Sequence, residues 1–381
     1  VLILLMGAAI FIAALLLKYE SRILYAIIIA MSAFVCEQFS RMILDVFQSF
    51  EEMGKIALRD ITVRLFTAIM SISMLFLGFG LYAVCLVFLV GSIIGLIINI
   101  WIYSRRFAFP KLRIDYQFLR DSFKEGSSYI LIMFAAGLYS NVGILLISKL
   151  ADKASLGIYT APFNLVARLD FIADAIATAS FPALCELYRR NREEANAIFG
   201  KAMLPTLLLS LPIAIGGFIL SKQIITLIYG SNFLESARVL SIIILTIPMA
   251  FLCTLLISSL NAIDQQRFVA TAISMSVVAG FILNYLFITW IGYIGAAVAS
   301  LITNIIFLVM LVYGSLRYYK YSLGFNTILS ILVSLACLGA ITYVARPFGL
   351  YIAIPLAAAV YYACLRIAGQ IINTKLLDRV F

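Results

Sequence analysis

YSRRFAFPKLRIDYQFLRDSFKE, residues Tyr103 to Glu125, interrupts a chain that is otherwise 64% hydrophobic and 12% charged. Six of its residues are basic: Arg105, Arg106, Lys111, Arg113, Arg120 and Lys124. Apolar runs of membrane-spanning length flank it on both sides. Short Lys/Arg-rich loops stay on the cytoplasmic side of a membrane protein, so this stretch pins the topology of everything else. It also splits the chain into two helical halves, read as two membrane bundles joined by an inside linker.

Outward from that linker, 381 residues of such composition describe an all-α polytopic membrane protein. Each span takes about 20 apolar residues, so the length allows about twelve spans. Open sheet edges do not survive in lipid, which leaves helices as the spanning elements. Spans are expected at Val1–Leu17, Ile23–Phe47, Ile56–Phe79 and Leu81–Tyr103 before the linker. After it they are expected near 126–148, 157–180, 201–220, 236–260, 268–290, 294–316, 327–345 and 349–370. Val1 opens inside an apolar run without an initiator Met, so the N-terminus reads as truncated.

Alternation of the loops gives a check. With 103–125 inside, the loop 181–200 with Arg189, Arg190 and Arg192 is also inside. So are 48–55, 261–267, 317–326 and the tail with Lys375 and Arg379. Outside loops hold Lys18, Arg22, Lys149, Lys153, Lys222, Arg238 and Arg346, partly offset by Glu20, Asp152 and Glu235. The asymmetry has the sign that the positive-inside rule demands.

The net charge of +10 would suggest nucleic acid in a soluble protein. Here most of the excess sits in inside loops, and no nucleic-acid partner is expected. The six cysteines are scattered without CxxC spacing, so they read as packing residues rather than a disulfide set or metal site. Histidine is absent. That removes the commonest acid–base residue and metal ligand, and weighs against an enzyme or a cofactor.

An internal repeat is faintly legible: GLYAVCLVFL (80–89) resembles GAAVASLITN (295–304), and both spans end in basic–aromatic loops, YSRRF and RYYKY. Two related halves with a site between them is a common transporter plan.

Several longer stretches resemble the Wzx-type polysaccharide flippases of the multidrug/oligosaccharidyl-lipid/polysaccharide exporter superfamily. They are LGIYTAPFNL (156–165), FPALCELYRR (181–190), LPIAIGGFILSKQIITLIYGSNFLESARVLSI (211–242) and NYLFITWIGYIGAAVAS (284–300). FSRMILDVFQSFEEMGKIALRDI (39–61) agrees less sharply. The resemblance implies two pseudo-symmetric six-helix bundles plus two extra C-terminal helices, with the first two helices missing. On that plan residues 1–110 form the N-terminal bundle, 111–318 the C-terminal bundle, and 319–381 the two additional helices. It implies export of an undecaprenyl-diphosphate-linked oligosaccharide across the bacterial inner membrane. The partners would be the lipid-linked oligosaccharide and the bilayer, with a polysaccharide polymerase and a chain-length regulator beside them. Many relatives carry an acidic residue where this chain has Asn141.

A lipid-linked glycan presents a diphosphate and a hydroxyl-rich sugar, so the protein must offer a polar cavity with fixed cations. Ionisable groups inside spans are costly and are the place to look. Glu37, Arg41 and Asp45 are spaced four apart on one helix face, as a cavity wall or as a self-neutralised ladder. Arg59 and Asp60 read as an interfacial helix start, with Arg64 deeper. Asp170 and Asp174 stack four apart on one face while Arg168 points to nearly the opposite side. Two such carboxylates in low dielectric resist joint ionisation, so one of them is suited to bind a proton or cation; the alternative is neutralisation by a base on another helix. The candidate set is therefore Arg41, Arg64 and Arg168 for the diphosphate, and Asp170 with Asp174 for ion coupling. Pro205, Pro212 and Pro248 fall inside spans, where they either gate or merely bend the helix. Tyr139, Tyr285 and Trp290 are candidates to stack on sugars, with interfacial anchoring the blander role for Trp290.

The leading expectation is a transporter that flips lipid-linked oligosaccharide by alternating access. A drug exporter or a lipid II exporter of the same superfamily is the nearer alternative. A membrane-embedded polysaccharide polymerase or O-acyltransferase is the alternative from another class. Short outside loops and the missing histidine argue against those enzymes, and an excess of intramembrane Arg argues for an anionic substrate.

Overall fold

The computed structural model describes residues 21–49, 53–106, 116–320 and 324–371. The expected span at Val1–Leu17, residues 107–115 of the linker and the basic tail lie outside the described residues. Within them the chain is helical throughout, with no strand. Eight helical segments are long and apolar enough to cross a membrane. The protein is a multi-pass membrane protein.

The chain divides into two compact units, Val1–Asp115 and Tyr116–Phe381. In the first unit, α1 (Ser21–Ser49) and α2 (Met53–Phe76) both pack on α3 (Leu81–Arg106). Small side chains at Ala26 and Ala33 and the buried Val63 and Val87 let the backbones approach, as membrane helices require in the absence of a water-driven collapse.

The second unit begins with α4 (Tyr116–Leu150), α5 (Lys153–Ala167) and α6 (Asp170–Arg190). α7 (Arg192–Tyr229), α8 (Ser236–Ile243) and α9 (Ile247–Asn261) follow, then α10 (Gln266–Ser315), α11 (Phe325–Ala345) and α12 (Leu350–Ile371). Two apolar cores fill it. One gathers Ile147, Tyr159, Ile225, Leu240, Phe251 and Ile288; the other gathers Leu184, Phe199, Leu255, Leu260, Phe307 and Tyr319. The last two helices pack on each other and on α7, where Leu204 and Leu208 meet Leu335, Leu338 and Tyr361. The Tyr361 hydroxyl donates to the Leu208 carbonyl at 3.1 Å, so this polar atom of the seam is satisfied.

Two boundaries differ from those expected. The interval 181–200 is almost wholly helical: α6 runs to Arg190, and Asn191 alone separates it from the 38-residue α7. The Asn191 side chain accepts from the Glu193 and Glu194 amides at 3.1 and 3.5 Å and donates to the Glu194 carboxylate at 2.8 Å. That reciprocal cap restarts the helix at once, and the two glutamates suit its positive end. The expected span 157–180 lies within a longer one, Lys153–Tyr188, in which a turn over Arg168 and Leu169 divides α5 from α6. Pro248 lies inside the span Ser236–Asn261 as expected, in the first turn of α9 directly after a 3-10 turn over Ile244–Thr246, so its missing N–H falls where the helix is already opened.

α10 is two spans in one stretch, broken at Ile291 (φ −129°, ψ 19°) and Gly292 (φ 62°, ψ −144°). Gly295 lies against the Phe287 carbonyl, Gly280 against Thr303, and Gly314 against the Phe268 ring. These pairings step apart evenly from residue 292, so the halves run antiparallel as a tight hairpin. Glycine at each contact allows the close approach, and Gly292 takes a backbone conformation that is essentially glycine-only.

Candidate functional site

In the first unit the polar side chains converge on Arg59. It is 4% exposed, although its place in the second turn of α2 reads as interfacial. Its guanidinium donates to the two Glu37 oxygens at 2.9 and 3.3 Å, to Asp60 at 2.8 Å and to the Ser40 hydroxyl at 2.8 Å. Asn99 of α3 donates to the same hydroxyl at 2.6 Å and to the Ser40 carbonyl at 3.2 Å. A Cβ on Gly95 would come within 2.5 Å of an Arg59 nitrogen, so that glycine makes the room for the guanidinium. The result ties three helices together at a buried charge. Arg41, on the same helix face as Glu37, is 66% exposed and only 3.9 Å from it, so Glu37 is held chiefly by Arg59 rather than by its own-helix neighbour. Arg64 is exposed on α2. The Asp45 side chain lies outside the described residues.

The second unit holds a polar cavity of about 360 Å³. α4 supplies Tyr139 and Asn141, α6 supplies Asp170, and the turn before α9 supplies Thr246. The α10 hairpin supplies Ser276 and Asn284 from one arm and Ser300, Thr303 and Asn304 from the other. Asp170 is the one charged residue of the lining. Arg168 and Asp174 are exposed and do not line it.

The hydrogen bonds of this lining share one direction. Asn141, Asn284 and Asn304 each donate their amide to the carbonyl four residues earlier, Gly137, Gly280 and Ser300, at 3.0, 2.8 and 2.9 Å. A carbonyl only accepts, so each carboxamide must turn its nitrogen to the backbone and its oxygen away. Thr303, Ser276 and Thr246 likewise spend their hydroxyl protons on Ala299, Ala272 and Ile243. What remains toward the cavity is oxygen lone pairs, one carboxylate and the second N–H of each carboxamide. The Asn284 Oδ1 is buried without a protein partner, as is the Tyr139 hydroxyl. Such a lining, rich in oxygen, with one carboxylate and no cation, suits a small cation or a hydroxyl-rich ligand better than a phosphate.

Of the expected ionisable site residues, the structure brings only Asp170 to this cavity, and of the sugar-stacking candidates only Tyr139. Arg41 and Arg64 stand in the first unit, near the Arg59 network on their own helices. Asn284, Thr303, Asn304 and Arg59 were not singled out for their chemistry. The available signal was polar side chains inside otherwise apolar spans, and for Arg59 an opposing Glu37 on the preceding helix.

The profile of a family described as polysaccharide biosynthesis protein matches residues 1–238. A protein of Haloferax volcanii named as a low-salt glycan biosynthesis flippase is 26% identical over 196 residues, covering 49% of this chain and 42% of that protein. One of Shigella flexneri named as an O-antigen transporter is 23% identical over 155 residues, covering 40% of this chain and 37% of that protein. The matches thus span about two fifths of those relatives' lengths. The solved lipid II flippase MurJ, in an inward closed conformation, superposes with a TM-score of 0.78 at 18% identity, over 98% of this chain and 82% of that one. At that identity the likeness concerns the fold.

Proposed function

Because the chain belongs to the polysaccharide biosynthesis protein family, we propose that it works as a flippase for a lipid-linked oligosaccharide. The substrate would be an undecaprenyl-diphosphate-linked repeat unit, moved outward across the bacterial inner membrane by alternating access. A polysaccharide polymerase and a chain-length regulator would take the product on the far side. The observation that carries the reading is an acceptor-lined cavity inside a unit of membrane helices that shares its fold with a lipid flippase.

The chemistry divides the labour. Arg41, Arg64 and Arg168 are the cations we assign to the diphosphate, since a guanidinium keeps its charge and pairs phosphate oxygens in a fork. The cavity around Asp170 takes the coupling ion. A cation that binds one conformation better than another shifts the carrier by that difference in affinity and no more. Filling the cavity with positive charge draws α4, α6 and both arms of the α10 hairpin together, because each contributes oxygen to it. Asp174, one turn along α6, sets the local field.

The test is flipping of a fluorescent lipid-linked repeat unit in reconstituted vesicles, with lipid II as the competing substrate and with sodium present or absent. Movement of the repeat unit, faster with an ion gradient, supports the assignment. Movement of lipid II alone would reassign the substrate.

A further inference from the structure

A larger recess, of about 1030 Å³, lies elsewhere in the second unit, where three spans end. α7 brings Lys222 and Gln223, α11 brings Tyr343, the turn after it brings Arg346, and α12 opens with Gly349 and Tyr351. Two cations and no acid line this recess. Neither cation forms an ion pair among the described residues. Gln223 donates to the Arg346 carbonyl at 3.5 Å, which fixes the turn against α7 and leaves the Gln223 Oε1 buried without a protein partner.

Its depth in the membrane follows from composition. Tyr343, Phe348 and Tyr351 are largely exposed around the rim, and exposed aromatic side chains at span ends mark the boundary between hydrocarbon and headgroups. Gly349, at φ 86°, turns the chain there so that Arg346 and the start of α12 face the same recess. The walls from Leu227, Val344 and Leu350 are apolar. A site with apolar walls, a pair of cations at the headgroup level and a free amide acceptor matches one chemistry. It takes an acyl chain along the walls, a phosphate on the cations, and a hydroxyl donor on Gln223.

We propose that this recess is a binding site for an anionic phospholipid whose headgroup carries hydroxyls, with phosphatidylglycerol as its simplest representative. The site is separate from the Asp170 cavity and shares no lining residue with it. It stands whether or not the cargo is a glycan. The bound lipid would pin the α11–α12 turn to α7, so the last two helices would be held to the unit by lipid as well as by their apolar seam.

The experiment is native mass spectrometry of the full chain released from nanodiscs of equal phosphatidylglycerol and phosphatidylcholine. Wild type should retain phosphatidylglycerol in preference. The variant Lys222→Gln/Arg346→Gln should lose that retention by about tenfold, the loss of one or two charge-assisted contacts. Arg317→Gln, in the loop before the other end of α11, should keep it. Melting in pure phosphatidylcholine should be the same for all three, which separates lost binding from lost folding. Equal retention of both lipids by wild type, or unchanged phosphatidylglycerol retention by the double variant, overturns the proposal. So does selective retention of added undecaprenyl diphosphate over phosphatidylglycerol, because the recess would then belong to the cargo.

Discussion

Arg59 and Glu37, 22 positions apart on neighbouring helices, form a forked ion pair with contacts at 2.9 and 3.3 Å inside the first unit. Removing one partner leaves the other charge in low dielectric, which is costlier than never having the pair. Arg59→Ala should therefore destabilise the protein by roughly 3 kcal/mol, and Glu37→Ala by a similar amount. The double variant should cost much less than the sum. A thermal-unfolding cycle in detergent measures this; strict additivity would mean that the two residues do not act as a pair.

Gly95 gives the steric side of the same network. Gly95→Ala forces the Arg59 guanidinium to move, because the new methyl would lie 2.5 Å from it. Stability should fall by about 1–3 kcal/mol, as for other overpacked sites. In an Arg59→Ala background the same change should be nearly silent, since the obstructing group is gone. A full loss in that background would show that Gly95 serves the backbone instead.

The hairpin in α10 should be equally sensitive at one position. Gly292 stands at φ 62°, ψ −144°, a conformation that costs an L-residue of order 1–3 kcal/mol. Gly292→Ala should lower the melting temperature by several degrees, while Gly157→Ala, in open space on α5, should not. Equal melting of the two variants would argue against a strained turn.

Most of the spans were legible because hydropathy is a local property, and so were the basic residues at their ends. Trp101–Arg105, Tyr188–Arg192, Tyr313–Arg317 and Tyr362–Arg366 show why. Each Arg stacks on the aromatic ring one turn back, at 3.9 to 5.3 Å, at an end assigned inside. The burial of Arg59 was not legible. Its sequence neighbours Asp60 and Arg64 suggest an interface, and only the meeting with Glu37, Ser40 and Gly95 from two other helices makes a buried charge tolerable. The cavity was hidden for a related reason. Asn141, Asp170, Asn284 and Thr303 are one or two polar groups per span, and periodicity within a helix says nothing about which helices will face each other. The seam at Asn191 was missed because a single capping residue restarts a helix within what hydropathy marks as one polar interval.

Orientation can be checked directly. In a cysteine-free background, Gln266→Cys should be protected from a membrane-impermeant thiol reagent in intact cells, and Ser231→Cys should be labelled. Both positions are exposed and stand at opposite ends of the second unit's spans. The reverse pattern would invert the assignment of every loop.

The last prediction separates Asp170 from Asp174. Their spacing alone makes them equivalent, yet Asp170 lines the cavity and Asp174, one turn further along α6, does not. If the cavity takes a cation, its charge must be met by the Asp170 carboxylate, because every other lining oxygen is neutral. Asp170→Asn keeps the shape and removes that charge. It should abolish the dependence of flipping on sodium or pH and slow the coupled rate by about tenfold or more, equivalent to 1.4 kcal/mol. Asp174→Asn should change the rate less and keep the ion dependence. Asn141→Asp makes the converse test. It adds a second carboxylate to the same lining, so cation affinity should rise and flipping should saturate at lower sodium. Competition between the two carboxylates should also bring a new pH dependence, since one of them would hold a proton near neutrality. Identical ion dependence in wild type, Asp170→Asn and Asn141→Asp would mean that the cavity is a packing defect lined with self-satisfied polar groups, and that coupling is carried elsewhere.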